Sequence, residues 1–303
     1  MPKRSAAFYA SRNASLRKAR AAKAFPLPNP KALDPLPPNT EPVIREGRQA
    51  VAYHIPTSPP SPTQPMLKTT ITLPRYSTWT SGLHFHTLHT EYLRLVQGSI
   101  FVQLDSSVKI LSARAGGEVR IYDDTRAAME PGLHIKIDKY ARHNWGRAKE
   151  YLQRGQPGKR RRMAVYPIDI DDDVVVEEWT DPTDIHKPIF FWNLNGVLAA
   201  PFPHSSPQRQ RLAHAAVGAR CWVSFQLCVI FWELDNWPVF VELGYGWPDR
   251  LGMLLLKGWV EYLVAFGVLG AASVMGCVLG VRAVRRERTP VRLWEAYRKN
   301  GVN

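Results

Sequence analysis

The chain has 303 residues, long enough for one core of ordinary size with appendages, and its 45% hydrophobic and 22% charged residues place it among globular proteins. Its net charge of +14 sits at the two ends: residues 1–24 hold seven basic residues and no acidic one, and residues 282–303 hold seven against two. The middle of the chain is close to neutral, so nucleic acid is not expected as a partner. Cys221, Cys228 and Cys277 form neither a disulfide framework nor a Cys-x-x-Cys metal site.

Residues 1–64 are expected to be a basic, proline-rich arm, disordered or draped on the domain that follows. Prolines recur from Pro26 to Pro62, and such a segment buries too little apolar surface to offset the cost of ordering it. The acid-free first 24 residues, rich in Arg, Ser and Ala, resemble a mitochondrial presequence in composition; the plainer alternative is a basic tail.

From Met66 the pattern changes to short apolar runs between turn residues. Leu67–Leu73, Tyr92–Val96, Ile100–Leu104, Val108–Leu111, Glu118–Tyr122, His134–Ile137, Arg162–Tyr166 and Val174–Trp179 are strand candidates, and six to eight strands at this spacing read as a sandwich or barrel. Gly98 stands where a hairpin would turn, with Ser99–Leu104 returning. The runs Lys159–Arg162 and Asp169–Asp173 read as solvated turns.

The run Gly82–Gly98 carries the chemistry. In a strand, alternate side chains share a face, so His84 and His86 present two imidazoles to one point while Phe85 packs on the other side. Glu91 has the opposite parity and joins them only if Thr87–Thr90 turns or bulges. Two histidines and a carboxylate with open positions suit Fe(II) first, and also Mn, Ni or Zn.

The spacing His84-x-His86, four residues, Glu91, six residues, Gly98 resembles the first sequence motif of the cupin superfamily, with Thr78 where that family usually has glycine. The resemblance covers about residues 65–180 and implies a mainly β, cupin-like jelly-roll barrel. It also implies a fourth ligand from a second motif, roughly Pro-x-Gly-x-x-His-x-x-x-Asn. Here His143 takes the histidine's place, with Asp138 and Tyr140 for the proline and glycine and Arg147 for the asparagine. The motif leaves out His89, which is expected beside the site or on the surface.

Residues 181–258 read as a helical, aromatic-rich extension. Ala219–Trp232 is apolar almost all round but too short to cross a bilayer, so a buried or interfacial helix is expected. Residues 259–281 read as a transmembrane helix: Tyr262–Val281 carries no charge, Trp259 and Tyr262 mark one edge, and Arg282, Arg285, Arg286 and Arg288 the other, before a basic tail over 282–303. A basic C-terminus and the lack of a hydrophobic signal peptide argue that both ends are cytoplasmic, which fits a helical hairpin. A single-pass tail anchor, with the positive-inside bias overruled, is equally open, and either leaves the barrel cytoplasmic.

These readings together suggest a membrane-anchored metalloprotein acting on a small apolar or aromatic molecule, first as a metal-dependent oxygenase or oxidoreductase. The family implied by the resemblance includes dioxygenases, decarboxylases and isomerases, so it does not select a reaction. The alternative is a non-catalytic ligand-binding or assembly module tethered to a membrane. A homodimer, common among such barrels, is also expected from the resemblance.

Overall fold

The computed structural model of the protein describes residues 28–105, 107–113, 119–122, 127–130, 134–154, 170–202, 207–242 and 251–300. Strands β1 (Thr40–Arg45), β2 (Val51–Pro56), β3 (Thr69–Leu73), β4 (His84–Phe85), β5 (Thr90–Leu104), β6 (Ser107–Ala113), β7 (Val119–Tyr122), β8 (Ala127–Glu130), β9 (His134–Ile137), β10 (His143–Arg147), β11 (Val174–Asp181) and β12 (Trp237–Pro238) join in one antiparallel sheet. The path runs β1-β2-β3-β11-β5-β10-β4-β12, with β9 and the β6-β7-β8 meander attached to β5. The candidate at Arg162–Tyr166 lies outside the described residues.

Strand β5 organises the barrel. Its first half pairs with β9 and β11, its second half with β6 and β10, so the sheet bends over on itself and the two halves share one strand. The expected hairpin at Gly98 is therefore corrected. The strand continues through this residue, bending but not turning back, and the chain reverses only at Asp105, whose φ is 47°. Gly98 has φ 85°, and a Cβ there would lie 2.6 Å from the carbonyl oxygen of Asp173. Glycine is needed at this point for the bend and for the close crossing of β11, whose register shifts beside it.

The expectation of an arm over residues 1–64 is corrected over 40–56. There β1 and β2 pair as a hairpin, and β2 is buried along its whole length. Pro42 sits in β1, at the edge of the sheet, where a missing N–H is tolerated. Asp171 and Asp172 are largely exposed, as expected of a solvated turn, and pair at the surface with Lys149 and Arg75.

The helices are α1 (Ala148–Arg154), α2 (His186–Ala199), α3 (Gln208–Glu233), α4 (Leu251–Leu279) and α5 (Val291–Lys299), with a 3-10 turn at Arg286–Arg288. One apolar cluster runs from the barrel into them: Tyr53, Ile71, Leu93, Trp145 and Val176 of the strands join Ile189 and Phe191 of α2 and Leu293 and Tyr297 of α5. Tyr53 and Phe191 meet at a ring-centroid distance of 5.3 Å, and Trp192 Nε1 donates to the Pro56 carbonyl at 3.0 Å. Residues 282–303, expected to be a tail, instead place Ala283, Val284, Leu293 and Tyr297 in this core.

Helices α3 and α4 are each long and apolar enough to cross a membrane by length and composition, with mean hydropathy 1.4 over the best window of α3 and 2.1 over that of Gly258–Leu279. Helix α3 starts earlier than the apolar run suggested but breaks at Gly218, where φ is 78°. On α4, Glu261, Ala265 and Leu269 are buried and turn toward the protein at helical spacing. Trp259, Leu263, Phe266, Val274 and Val278 are exposed.

Candidate metal centre

His84 and Phe85 form the whole of β4, His86 follows it, Glu91 is the second residue of β5, and His143 opens β10 directly opposite His84. The predicted alternation holds: His84 and His86 are buried on one side, while Phe85, on the other, packs against Trp237 and the Tyr262 ring of α4. The turn that Glu91 needed is made by Thr87–His89 and tied by one carboxylate. Asp235 accepts from Thr87 N and Thr87 Oγ1 (both 2.7 Å), Leu88 N (2.9 Å) and His89 N (3.1 Å).

The four residues converge. Ligand atoms of His84, His86, Glu91 and His143 all lie within 4.8 Å of one another, and all four side chains are buried. His86 Nε2 is 2.7 Å from Glu91 Oε2, and His143 Nε2 is 3.7 Å from Glu91 Oε1. Each imidazole donates its Nδ1–H to a backbone carbonyl: His84 to Gly82 at 2.8 Å, His143 to Ala141 at 3.0 Å, and His86 to Asp235. That assignment leaves Nε2 of His84 and of His143 with a lone pair facing its neighbours, as a metal-ligating histidine needs, while His86 Nε2 donates to Glu91 Oε2, a proton that a bound metal would displace. Glu91 Oε1 and His143 Nε2 are buried without a hydrogen-bond partner. Such orphans cost about 1–3 kcal/mol each in a folded protein, and a bound cation would satisfy both. The residues therefore fit a divalent metal.

Protonation agrees. Burial, and then the neighbouring imidazoles, hold His84 well below its usual value, and burial pushes His143 down to about 4 despite the attraction of Glu91. Burial alone would raise Glu91, but the Lys187 charge and the His86 hydrogen bond outweigh it and hold the carboxyl well below its ordinary range. At neutral pH the site thus offers neutral imidazoles at His84 and His143 and an ionised carboxylate at Glu91, which suits metal binding.

A pH dependence follows for the metal-free protein. The unfolded chain protonates His143 below its ordinary 6.5, whereas the folded chain resists until about 4, so the unfolded state binds more protons in between. The stability contributed by neutral His143 is complete above about pH 6.5 and falls as pH drops toward 4, by about 1.4 kcal/mol per pH unit. Urea unfolding at several pH values measures this, and a stability flat between pH 7 and 5 would contradict it.

The second motif, degenerate in sequence, keeps its backbone geometry. Tyr140, at the glycine position, has φ 65°, and its N–H donates to the His86 carbonyl at 2.7 Å. Its ring packs on Phe85 and Tyr262, and its carbonyl accepts from Tyr262 Oη at 2.6 Å, contacts that a glycine could make only in part. Arg147, at the asparagine position, is buried and donates to the carbonyls of Leu73 and Ile170 at 3.2 and 3.3 Å, a structural role.

Sequence reasoning missed three buried charges. Lys187, in the first turn of α2, pairs with Glu91 Oε2 and lies 3.5 Å from Glu178 Oε2; Glu178 in turn accepts from Trp145 Nε1 at 2.6 Å. Burial raises Glu178 to about 7, and although burial opposes the Lys187 charge, its two carboxylates raise it. A lysine heading the apolar run Ile189–Trp192 was the available signal. Asp235, the third, had none, since it lies 148 residues from Thr87. His89 is set apart from the four, between Asp235 Oδ2 (2.7 Å) and Asp184 Oδ2 (2.8 Å). A small cavity lined by His86, Thr180, Lys187, Phe190 and Leu234 adjoins His86 beside α2.

No family model matches the chain, and no curated protein does. Among solved structures it is similar to KdgF from Halomonas sp., at 15% identity over 43% of this chain and 79% of that one, with a TM-score of 0.24. It is also similar to a cupin-2 domain protein from Rhodospirillum rubrum (11% identity, 50% and 76% covered, TM-score 0.28) and to an RmlC-like cupin from Shewanella frigidimarina (10%, 52% and 94%, 0.26). Likeness at this level carries no argument about activity. What describes the chain as cupin-like is its own motif, its bent antiparallel sheet and the convergence of His84, His86, Glu91 and His143.

Proposed function

We propose that this chain is a membrane-anchored, cupin-like metalloprotein that holds Fe(II), or another divalent transition metal, on His84, His86, Glu91 and His143 and oxidises a small apolar or aromatic molecule. The observation that carries the metal reading is the set of three imidazoles with Nδ1 fixed and Nε2 turned inward beside the orphaned Glu91 Oε1. Bound there, the metal would supply Lewis-acid or redox chemistry.

The surrounding residues set the terms for a substrate. Phe190 and Leu234 supply the apolar part of the wall of the small cavity beside the site, which as it stands holds about one water molecule, so a substrate would have to open it. Lys187 places a cation beside Glu91, where it neutralises an ionised oxygen on the substrate and helps keep Glu91 unprotonated. Glu178, raised to about 7, is placed beside Lys187 to hold or release a proton near neutral pH. The exposed apolar face of α4, followed by Arg282, Arg285, Arg286 and Arg288, supports membrane attachment.

The alternative, a ligand-binding or assembly module without catalysis, is favoured by one feature: Lys187 ties up the Glu91 oxygen nearest His86. Metal analysis of the purified full chain, with His84→Ala and Glu91→Ala variants, tests the first step. The expected result is about one transition-metal ion per chain fewer in both variants than in the wild type, and no metal in the wild type would sink the enzyme reading. Oxygen uptake with phenolic substrates then separates oxygenase from module, and flotation with liposomes tests the anchor.

A further inference from the structure

A second group of donor atoms lies outside the four-residue centre. His89 Nε2 and His186 Nδ1 stand 2.8 and 2.9 Å from the same oxygen, Oδ2 of Asp184, and the three donors lie within 4.8 Å of one another. The chain takes care to place them. Asp184 Oδ1 accepts the His186 backbone N–H at 2.8 Å, which fixes the carboxylate, and Asp235 Oδ2 holds Nδ1 of His89 at 2.7 Å, which leaves Nε2 to face the group. A carboxylate behind one nitrogen of a histidine whose other nitrogen faces further donors is the usual outer arrangement of a metal-bound imidazole. His186 Nδ1 is buried at the atom level and makes no hydrogen bond, although it lies beside Asp184.

We propose that His89, Asp184 and His186 form a second divalent-cation site, for which zinc is the first choice. Two nitrogens and one carboxylate oxygen are a common zinc set with three protein ligands and an open position. Charge favours it: Asp184 and Asp235 bring two carboxylates to the imidazole of His89, and a dication replaces the proton now shared between His89 Nε2 and Asp184, which leaves to solvent. Access favours it too. The side chains of Asp184 and His186 are 31% and 30% exposed, so the fourth position opens outward, unlike the buried first centre. His89 and His186 line the same small cavity as His86 and Lys187, so the second site lies next to the first.

The site is tested independently of the proposed catalysis. The full chain is purified, stripped with a chelator and titrated with Zn2+ against a chromophoric competitor, with bound metal counted by mass spectrometry. Wild type is expected to take up two ions, Asp184→Asn and His186→Ala one each, Glu91→Gln one, and Glu91→Gln combined with His186→Ala none. Thermal melts confirm that each variant is folded, and His186→Ala at a partly exposed position is the least disruptive of them. If wild type binds a single ion that persists in Glu91→Gln and disappears in His186→Ala, the second site stands while the first centre fails. A single ion that survives His186→Ala and Asp184→Asn, two ions that both survive them, or no bound ion overturns the proposal.

Discussion

Glu91→Leu is expected to lower the stability of the metal-free protein by about 3–5 kcal/mol, because it leaves a buried lysine without its principal partner. Lys187 is 7% exposed and Glu91 1%, and the lysine's remaining carboxylate, Glu178, stands 3.5 Å away. Glu178 recovers part of the loss, which sets the lower end of the range. In a chain of this size the melting temperature should fall by about 10 °C. The double variant Glu91→Leu with Lys187→Met removes both charges and should regain most of that stability while binding no metal at the first centre. Thermal melts with metal counts on the two variants separate an ion pair that holds the fold from a carboxylate that holds a metal. A single variant that melts within 2 °C of wild type would show that the pair does not anchor the site, a shift of that size corresponding to about 1 kcal/mol or less.

Asp235→Ala should have the next largest effect. Its carboxylate takes hydrogen bonds from three backbone N–H groups, the Thr87 hydroxyl, His89 Nδ1 and Trp237 Nε1, and the turn so fixed lies between His86 and Glu91. Without it, buried donors lose their acceptor at about 1–3 kcal/mol each, less what water restores. Affinity at the first centre should drop about 10–100-fold, the usual cost of disturbing the groups that orient metal ligands. Asp235→Asn, which keeps one acceptor oxygen, should fall between. Competition titrations measure the affinities, and wild-type affinity in the alanine variant would show that the turn is held by other means.

The residues that declared themselves in sequence were those whose meaning is local. His84, Phe85 and His86 needed only the two-residue period of a strand, and β3, β5, β6, β7, β9 and β11 followed from short apolar runs between turns, whereas β8 and β10, with fewer apolar residues, did not. Gly98 misled because a glycine after a strand signals a turn and a bend equally well, and the deciding contact, with Asp173, lies 75 residues away in the chain. Residues 40–56 were hidden by their prolines, although Pro42 lies on an edge strand where it costs little. Lys187 and Asp235 act through partners far along the chain, Glu91 and the Thr87 turn, and no periodicity reports such distances. Tyr140 showed that a motif residue can change while its backbone conformation persists.

The two faces of β4 bear on modularity. One side of this two-residue strand carries His84 to the metal ligands, and the other presses Phe85 against Trp237, Ala265 and Leu269, so the strand is clamped by segments more than 150 residues downstream. The chain therefore cannot be trimmed to a soluble barrel ending near residue 180. Such a fragment would lack Lys187, Asp235, β12 and the wall behind Phe85, and its failure to bind metal would report on the cut. A fragment that keeps this site whole runs from β1 through α5, whose Leu293 and Tyr297 close the core, and its helices are as much a part of the metal centre as its strands.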